Sequence, residues 1–513
     1  MSCRFRRKLS LSAGLAVLAG LAGFAGLVAL AGFGRFRRAR EATGTGRAIA
    51  WRGRTGRNSQ LAGLGLRVAA TYASTSARKV FAGTQRRIEL DHSRELKTAD
   101  QIAQALGEMK GAMMKLGQMA SYLDEGLPEP LRAALSQLQS NAPPMSAALA
   151  IAAIEGELGA PIKALFVEFD PEPIAAASIG QVHRAIIRDA DTGLERAVAV
   201  KVQYPGVDTA IAADLRNTDL LGAILKQSFG GLDPTDMVDE IKMRLSEELD
   251  YELEARNQRA FHAYYTDHPY IHVPEVIDHL CSPRVLTTEL VVGSTWQELL
   301  TWDQRERDLA AECIFRFVFR SLYRFKAFNG DPHPGNYLFH GDGRVTFLDF
   351  GLVKHFTADE LNTFESMVQA AVVHHDDDEF RRIIEDAGML ARDAPIETVA
   401  AGQYFSQFYE AVREDRVMTW TPEYSSKIVR HLFDRSSPIS QYATVPKSFV
   451  FIQRINLGLY AILGELRATG NYRRISEELW PRIGAGPSTP MGESEAAWVH
   501  RRALTPASRK PTP

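Results

Sequence analysis

The chain contains little cysteine: only Cys3, Cys281 and Cys313 occur among its 513 residues. Structural zinc sites and disulfide frameworks need cysteines at short, paired spacings, and these three lie far apart in the sequence. The sequence therefore excludes a fold that depends on disulfides and gives no indication of zinc. Such sparse cysteine is what a reducing compartment predicts.

Acidic residues are almost missing from residues 1–88, where Glu41 stands against seventeen lysines and arginines. This segment has a net charge near +16, and the remainder near −18, although the whole chain is only −2. A basic segment beside an acidic body favours an anionic membrane surface, or another polyanion, as the neighbour of that segment. Residues 41–95 are consistent with a solvated linker or with binding to lipid headgroups. We expect membrane lipid as a partner and no nucleic acid.

Charged residues are also missing from residues 9–34. A helix of this length would exceed a hydrocarbon core of about 30 Å, so the run predicts a single transmembrane helix with the rest of the chain on the cytoplasmic side. A cleaved export signal is an alternative, because Arg6-Arg7 precede the run and Ala29-Leu30-Ala31 resembles a cleavage site. An organellar transit peptide is the third possibility.

The chemistry of the chain centres on Asp331, Asn336 and the run Asp349-Phe350-Gly351. Their spacing is that of a kinase catalytic loop, with an Asp, an Asn five positions later and then a hairpin ending in Asp-Phe-Gly. Amide and carboxylate oxygens suit Mg²⁺, so we assign Asn336 and Asp349 as metal ligands. Asp331 is the candidate for accepting or orienting the proton of the phosphate acceptor. Asn329-Gly330 replaces the usual His-Arg or His-Ala, which removes an imidazole brace.

Two segments upstream supply a candidate phosphate site. Val198-Ala199-Val200-Lys201 alternates as a strand that ends in a lysine, so Lys201 is predicted to hold the nucleotide phosphates. The Gly-rich phosphate lid of kinases is replaced by an alanine-rich stretch: Ala175, Ala176, Ala177, Ser178, Ile179, Gly180 and Val182. Methyl groups limit the approach of the backbone, so the nucleotide pose or preference should differ. The alternative is the start of an alanine-rich helix.

The adenine of a bound nucleotide would meet the segment that joins two predicted lobes. We expect backbone groups of Glu289 and Val291 to contact it.

An apolar stripe from Ile102 to Leu123 predicts a helix that carries Lys115-Leu116-Gly117-Gln118. Spacing alone favours a solvated role for Lys115 and Gln118, which lie on one face of the helix. However, a Lys-x-Gly-Gln motif ahead of a kinase-like domain with an alanine-rich lid resembles the signature of the UbiB/AarF family of atypical protein-kinase-like proteins. The resemblance implies that Lys115 and Gln118 cover the place that a peptide would occupy.

The resemblance also implies roles for acids that composition alone would leave solvated. Glu254 is similar to the helix glutamate that pairs with the phosphate-binding lysine, here Lys201. Glu248 and Asp250 are similar to the acids of that family that meet the extension lysine, here Lys115.

The sequence therefore predicts an α+β, two-lobed protein-kinase-like fold with an N-terminal helical extension and an N-terminal transmembrane helix. The predicted segments are a basic flank with a transmembrane or signal segment (1–40), a basic linker (41–95), the helical extension (96–165), an N-lobe (166–292), a C-lobe (293–485) and a disordered tail (486–513).

The family resemblance implies ATP or ADP and Mg²⁺ as cofactors, and an ATPase or atypical kinase activity. It also implies support of isoprenoid-quinone (ubiquinone-type) biosynthesis, with quinone precursors and quinone-biosynthesis enzymes as partners. A conventional Ser/Thr protein kinase is disfavoured, because no Ala-Pro-Glu follows Gly351 and a capping box at Thr357 begins a helix almost at once. A nucleotide-binding scaffold without turnover is disfavoured because the Asp, Asn and Lys residues are all retained. An uncleaved anchor is favoured because a nucleotide site belongs where nucleotide is present.

Overall fold

The computed structural model describes residues 145–208 and 249–504, apart from positions 178, 190, 191, 331, 434–436 and 445. The predicted anchor and the Lys-x-Gly-Gln motif lie outside the described residues. The same holds for Ser178, Glu248 and Asp331. Their assignments therefore stay predictions.

The first part of the described chain is built on an antiparallel sheet, one face of which is covered by the first helix. Its elements are α1 (Ala147–Leu158), α2 (Ile162–Leu165), β1 (Glu168–Ala176), β2 (Gly180–Arg188), β3 (Glu195–Gln203), α3 (Tyr251–Tyr265), β4 (Ile271–His272) and β5 (Val285–Glu289). Four of the strands form the sheet in the order β1-β2-β3-β5. The strand that begins at Ile271 belongs to a different sheet.

Alternation along β3 gives this sheet two different faces, because successive side chains of a strand point to opposite sides. Val198 and Val202 are fully buried and share one apolar cluster with Ile154 of α1. Lys201 points to the opposite face, beside its cross-strand partner Val182 on β2. The helix therefore covers the outer face of the sheet, and the lysine faces the second lobe.

A linker leads into a larger, mainly helical lobe. Its first elements are α4 (Trp296–Leu299), α5 (Gln304–Arg320), β6 (Ala327–Asn329), β7 (Tyr337–Phe339), β8 (Val345–Phe347) and β9 (Val353–His355). Strand β8 pairs with β7 antiparallel and with β4 parallel, and β6 pairs with β9 antiparallel. These pairs place the predicted catalytic loop between β6 and β7, and the Asp-Phe-Gly run between β8 and β9.

The rest of the lobe is mainly helical, as the sequence predicted. Its elements are α6 (Ala358–Val368), α7 (Asp377–Asp386), α8 (Thr398–Ser406), α9 (Glu410–Arg413), β10 (Met418–Thr419), α10 (Pro422–Phe433), α11 (Lys447–Leu466), β11 (Thr469–Gly470), α12 (Tyr472–Leu479) and α13 (Pro490–Leu504). Both reciprocal hydrogen bonds of the predicted capping box, Thr357 with Glu360, are present. No helix within 145–208 or 249–504 has the length and apolar character needed to cross a membrane.

The structure corrects the prediction of a disordered tail at 486–513, because residues 490–504 form α13. The buried Trp498 stacks on Tyr265 of α3, with 6.4 Å between the ring centroids, and its indole N–H donates to the Thr266 carbonyl at 2.9 Å. The helix is held by residues far away in the sequence. The segment that precedes α13 is rich in proline and serine, so the sequence pattern alone did not predict the helix.

A buried group of charges fastens α13 to α5. Arg316 is only 1% exposed and lies within 2.9 Å of three carboxylates, those of Glu312, Glu478 and Glu495. Arg320 donates to Glu495 as well, at 2.5 Å. Charges this deeply buried persist only when each has a partner, so the network ties together α5, α12 and α13.

Glu495 is the acid at the centre of this network. Burial alone would raise the pKa of its carboxyl group. The hydrogen bond from His268 and the charges of Arg320 and Arg316 outweigh that effect and lower the pKa to about 2. The carboxylate therefore stays ionised in the folded protein well below neutral pH.

We expect Glu495→Gln to lower the free energy of unfolding by about 3 kcal/mol at neutral pH, because two buried arginines lose a negative partner. The exposed Glu493→Gln on the same helix is the matched control and should change stability by less than about 0.5 kcal/mol. Urea unfolding of the three full-length proteins measures both values.

The same substitution predicts a pH dependence. The folded-state pKa of Glu495 lies below its usual 4.5, so its contribution is complete above that pH and is lost as the pH falls towards 2. Wild type and Glu495→Gln should therefore differ less in stability at low pH than at neutral pH. An equal difference at both would contradict the assignment.

Candidate functional site

The predicted ion pair between Lys201 and Glu254 forms at the centre of the cleft. Lys201 Nζ donates to both carboxylate oxygens of Glu254, each at 2.8 Å. Burial alone would lower the pKa of the Lys201 ammonium, but Glu254, with Tyr251 and Asp349 nearby, raises it above its usual value. The lysine is therefore a fixed positive charge on the cleft face of the sheet.

Glu254 reaches this position because it lies in the first turn of α3. Asp250 caps that helix, and its side chain accepts the Leu253 N–H at 2.8 Å. The side chain of Glu254 is only 6% exposed. Asp250, which family resemblance assigned to the extension lysine, thus has a helix-capping role in the described structure, and its contact with Lys115 stays a prediction.

The Asp-Phe-Gly run lies directly below this ion pair. Asp349 Oδ1 accepts the Gly351 N–H at 2.9 Å, and the Phe350 ring is fully buried, 4.9 Å from the ring of Phe261 on α3. A Cβ atom added at Gly351 would lie 3.4 Å from Asp349 Oδ1 and 3.9 Å from Glu254 Oε2. The two carboxylates therefore flank the same glycine, close to the lysine.

Two asparagines that the motif search did not assign hold the backbone of this run. Asn257 donates its amide to the Phe350 carbonyl at 2.9 Å, and Asn329 donates to the Asp349 carbonyl. Asn257 lies three residues after Glu254, on the same side of α3, and this spacing is the sequence signal by which it could have been found. Asn329 thus makes a hydrogen bond in place of the imidazole brace that the sequence analysis expected to be missing.

The candidate magnesium ligands come from neighbouring strand ends. Asn336 directly precedes β7, and its carbonyl accepts the Leu348 N–H at 2.9 Å, one residue before Asp349. Within the described residues no three His, Cys, Asp or Glu side chains form a metal cluster. One amide and one carboxylate oxygen nevertheless suit Mg²⁺, which commonly takes few protein ligands and completes its shell with water and substrate phosphates.

The alanine-rich stretch is a hairpin rather than the start of a helix. Ala175 and Ala176 end β1, the Ala177 N–H donates to the Gly180 carbonyl at 2.9 Å, and β2 follows. Ala175 pairs with Val182, which in turn pairs with Lys201. The hairpin therefore lies where a nucleotide lid is required, next to the lysine. Ile179 is only 1% exposed, and its predicted contact with the nucleotide stays a prediction.

Gly180 allows this lid to lie close to the central strand. A Cβ atom at Gly180 would lie 2.2 Å from the Val202 carbonyl oxygen, which no side chain tolerates. The one glycine that the alanine-rich lid retains is therefore required by packing.

The linker after β5 leaves one of the predicted adenine contacts available. The Glu289 N–H donates to the Glu275 carbonyl and the Leu290 N–H to the Ala197 carbonyl. Among the described residues the Val291 N–H donates to no other group, and it is a candidate donor to adenine. The Glu289 side chain is held by His272, at 3.2 Å, and its N–H is already used, so its carbonyl oxygen is the group left for the predicted contact.

A lysine paired with a helix glutamate, an Asp-Phe-Gly carboxylate and a loop asparagine beneath a hairpin lid define a protein-kinase-like site. Sequence comparison agrees: the ABC1 atypical kinase-like domain matches residues 137–384. The chain belongs to this ABC1 (AarF) family of atypical kinase-like proteins, as its motifs predicted.

Three relatives illustrate the match. The mitochondrial atypical kinase COQ8B of Rattus norvegicus is 34% identical over 278 residues, 53% of this chain and 51% of the relative. The mitochondrial atypical kinase COQ8 of Saccharomyces cerevisiae is 31% identical over 317 residues, 61% of each chain. The solved Rv3197–erythromycin complex from Mycobacterium tuberculosis matches with a TM-score of 0.56 and 32% identity, covering 78% of this chain and 100% of that one. The chain spans about half the length of the first curated relatives it matches.

We expect Asn329→Ala to lower nucleotide turnover about tenfold, because the Asp349 carbonyl loses its donor and the carboxylate loses its fixed position. Asn329→Asp should be worse, since a carboxylate cannot donate to that carbonyl. Asn471→Ala, which removes the N-cap of α12, is the control: it should cost about 1 kcal/mol of stability without changing turnover. ATP hydrolysis and thermal unfolding are measured side by side, and unchanged turnover in Asn329→Ala would exclude the brace.

Proposed function

We propose that this protein is a Mg²⁺-dependent atypical kinase or ATPase that binds ATP between its two lobes. The observation that carries the proposal is the Lys201–Glu254 ion pair, held at 2.8 Å beside the Asp349 carboxylate. Phosphoryl transfer depends on positioning and on charge stabilisation rather than on covalent chemistry. A cleft that fixes one cation and one carboxylate near the same point suits that task.

The residues divide the work by their chemistry. Lys201 would hold the phosphates, and Asn336 and Asp349 would hold Mg²⁺, which supplies charge neutralisation on the phosphate oxygens. Asp331 would orient the acceptor. The alanine-rich hairpin would cover the phosphates from above, with Val182 against the nucleotide.

The proposal extends to the acceptor of the phosphate. The family resemblance favours a small molecule or water over a peptide, with isoprenoid-quinone (ubiquinone-type) biosynthesis as the process supported. Only six residues lie between Gly351 and the start of helix α6, which leaves little chain for an activation segment that binds peptides. Quinone precursors and the enzymes that act on them are therefore the proposed partners.

We expect Asp349→Asn to reduce Mg²⁺-dependent ATP hydrolysis by the full-length chain about 100-fold or more, because the metal loses its anionic ligand. Asp342→Asn is the matched control. Asp342 lies in the exposed turn between β7 and β8 at φ 50°, a conformation that asparagine tolerates, so activity should persist.

Hydrolysis of radiolabelled ATP is measured with liposomes and a quinone-precursor phenol present. Equal hydrolysis by wild type and Asp349→Asn would rule out the metal site. Wild type that binds ATP without turnover would favour the scaffold hypothesis.

The proposed location is a membrane, with the kinase-like part on the side that contains nucleotide. The charge-free run at 9–34 supports an anchor, and the basic residues up to position 88 suit an anionic lipid surface. Several relatives are named as mitochondrial or chloroplastic, which makes an organellar membrane the alternative to a plasma membrane.

We expect the full-length chain to sediment with membranes and to require detergent for release. High salt should not release it, because salt screens a basic segment but not a buried helix. Deletion of residues 9–34 should convert the binding to a salt-sensitive form. Recovery of the full-length chain in the soluble fraction without detergent would overturn the anchor.

A further inference from the structure

Buried polar groups behind the lid hairpin form one continuous chain of hydrogen bonds. The Met145 N–H donates to Gln181 Oε1 at 3.0 Å, the Gln181 amide lies 2.8 Å from His183 Nε2, and His183 Nδ1 lies 2.9 Å from the Asp170 carbonyl oxygen. Gln181 and His183 are only 1% and 0% exposed to solvent. Such a chain is tolerated only if every member is paired.

The chemistry of the partners determines the direction of this chain. A carbonyl oxygen only accepts, so His183 must carry its proton on Nδ1, and its Nε2 accepts from the Gln181 amide. The Gln181 oxygen then remains for the Met145 N–H. Burial lowers the pKa of His183, which keeps the ring neutral as this arrangement requires. Each of the four polar side-chain atoms of Gln181 and His183 therefore has a hydrogen-bond partner.

The hydrogen-bond chain replaces ladder bonds that the hairpin lacks. The register of β1 against β2 shifts between Phe169 and Pro173, which releases the Asp170 carbonyl. The residue directly opposite His183 is Pro173, which has no N–H to donate. The imidazole bonds to the released carbonyl instead, and the Phe169 ring stacks on it at 4.9 Å.

The position of the two side chains relates them to the cleft. Val182 lies between Gln181 and His183 on β2, so its side chain points to the opposite face of the sheet. On that face it lies beside its cross-strand partner Lys201. Gln181 and His183 also connect β2 to β1 and to the backbone just before α1. Their hydrogen bonds therefore hold the hairpin from its outer side at the point where its inner side would meet the nucleotide.

We propose that Gln181 and His183 are positioning residues that set the height of the alanine-rich lid above the phosphates of a bound nucleotide. This inference rests on the proposed function, because it presupposes that the cleft binds MgATP. An alanine-rich lid offers less flexible backbone than a glycine-rich one, so its fit to the phosphates depends more on how the hairpin is held.

The test compares two ligands on the full-length protein, MgATP and adenosine, which lacks the phosphates. Gln181→Leu should raise the Kd for MgATP about tenfold, equivalent to one lost buried hydrogen bond, and change the Kd for adenosine by less than about twofold. If Gln181→Leu does not fold, His183→Asn takes its place. This variant keeps a donor near the Asp170 carbonyl but breaks the link to Gln181, and it should show the same selective loss of MgATP binding.

Two further variants separate positioning from general damage. Ile187→Ala lies on the same buried face of β2, further from the lid, and should lower the melting temperature while leaving both Kd values unchanged. Gln181→Glu should bind MgATP close to the wild-type value. Its carboxylate accepts the Met145 N–H, and its negative charge favours a second proton on His183, which then donates from both ring nitrogens.

The outcomes distinguish failure of the positioning role from failure of the proposed function. Equal loss of both ligands in Gln181→Leu, or MgATP binding as tight as in wild type, overturns the positioning role and leaves the proposed function intact. Selective loss of MgATP with rescue by Gln181→Glu supports it. If the wild-type protein itself fails to bind MgATP, the proposed function falls, and the positioning role falls with it.

Discussion

The ion pair between Lys201 and Glu254 is the interaction on which the organisation of the cleft depends. It joins the central strand of the sheet to α3, whose next turn holds the Asp-Phe-Gly backbone through Asn257. Neither charge is tolerated alone at this depth, so strand, helix and Asp349 must be placed together. The same pairing keeps a positive charge beside a carboxylate, which is the arrangement that a metal–phosphate complex requires.

The helix that carries Glu254 is braced at both ends. Its first turn is capped by Asp250 and bonded to the sheet, while its last turn packs against Trp498 of α13. The buried network around Arg316 and Glu495 fixes α13 in turn. The C-terminal helix thus contributes to the position of a residue almost 250 positions earlier in the chain. The hydrogen-bond chain behind the lid supports the opposite wall of the cleft in a comparable way.

Motif spacing was sufficient where the chemistry of a residue demands a fixed local setting. The strand that carries Lys201, the loop at Asn336 and the turn at Asp349 were predicted because their neighbours in the sequence specify their local conformation. The Lys201–Glu254 pair was predicted only through family resemblance, since several acids occur on that helix. Asn329 shows the limit of such reasoning: the motif marked a lost brace, whereas the structure places a new amide donor on the same backbone.

What the sequence determined by itself was the class of the protein and the identity of its chemical groups, because residue type and spacing along one strand or loop are local properties. Only the tertiary structure decided which distant groups meet. Residues 490–504, predicted to be disordered, form α13 and contact α3 and α5. Gln181 and His183 are buried because α1 covers the sheet, and they form a hydrogen-bond chain there. Burial and long-range pairing depend on how elements pack, and a pattern read along the chain does not contain that information.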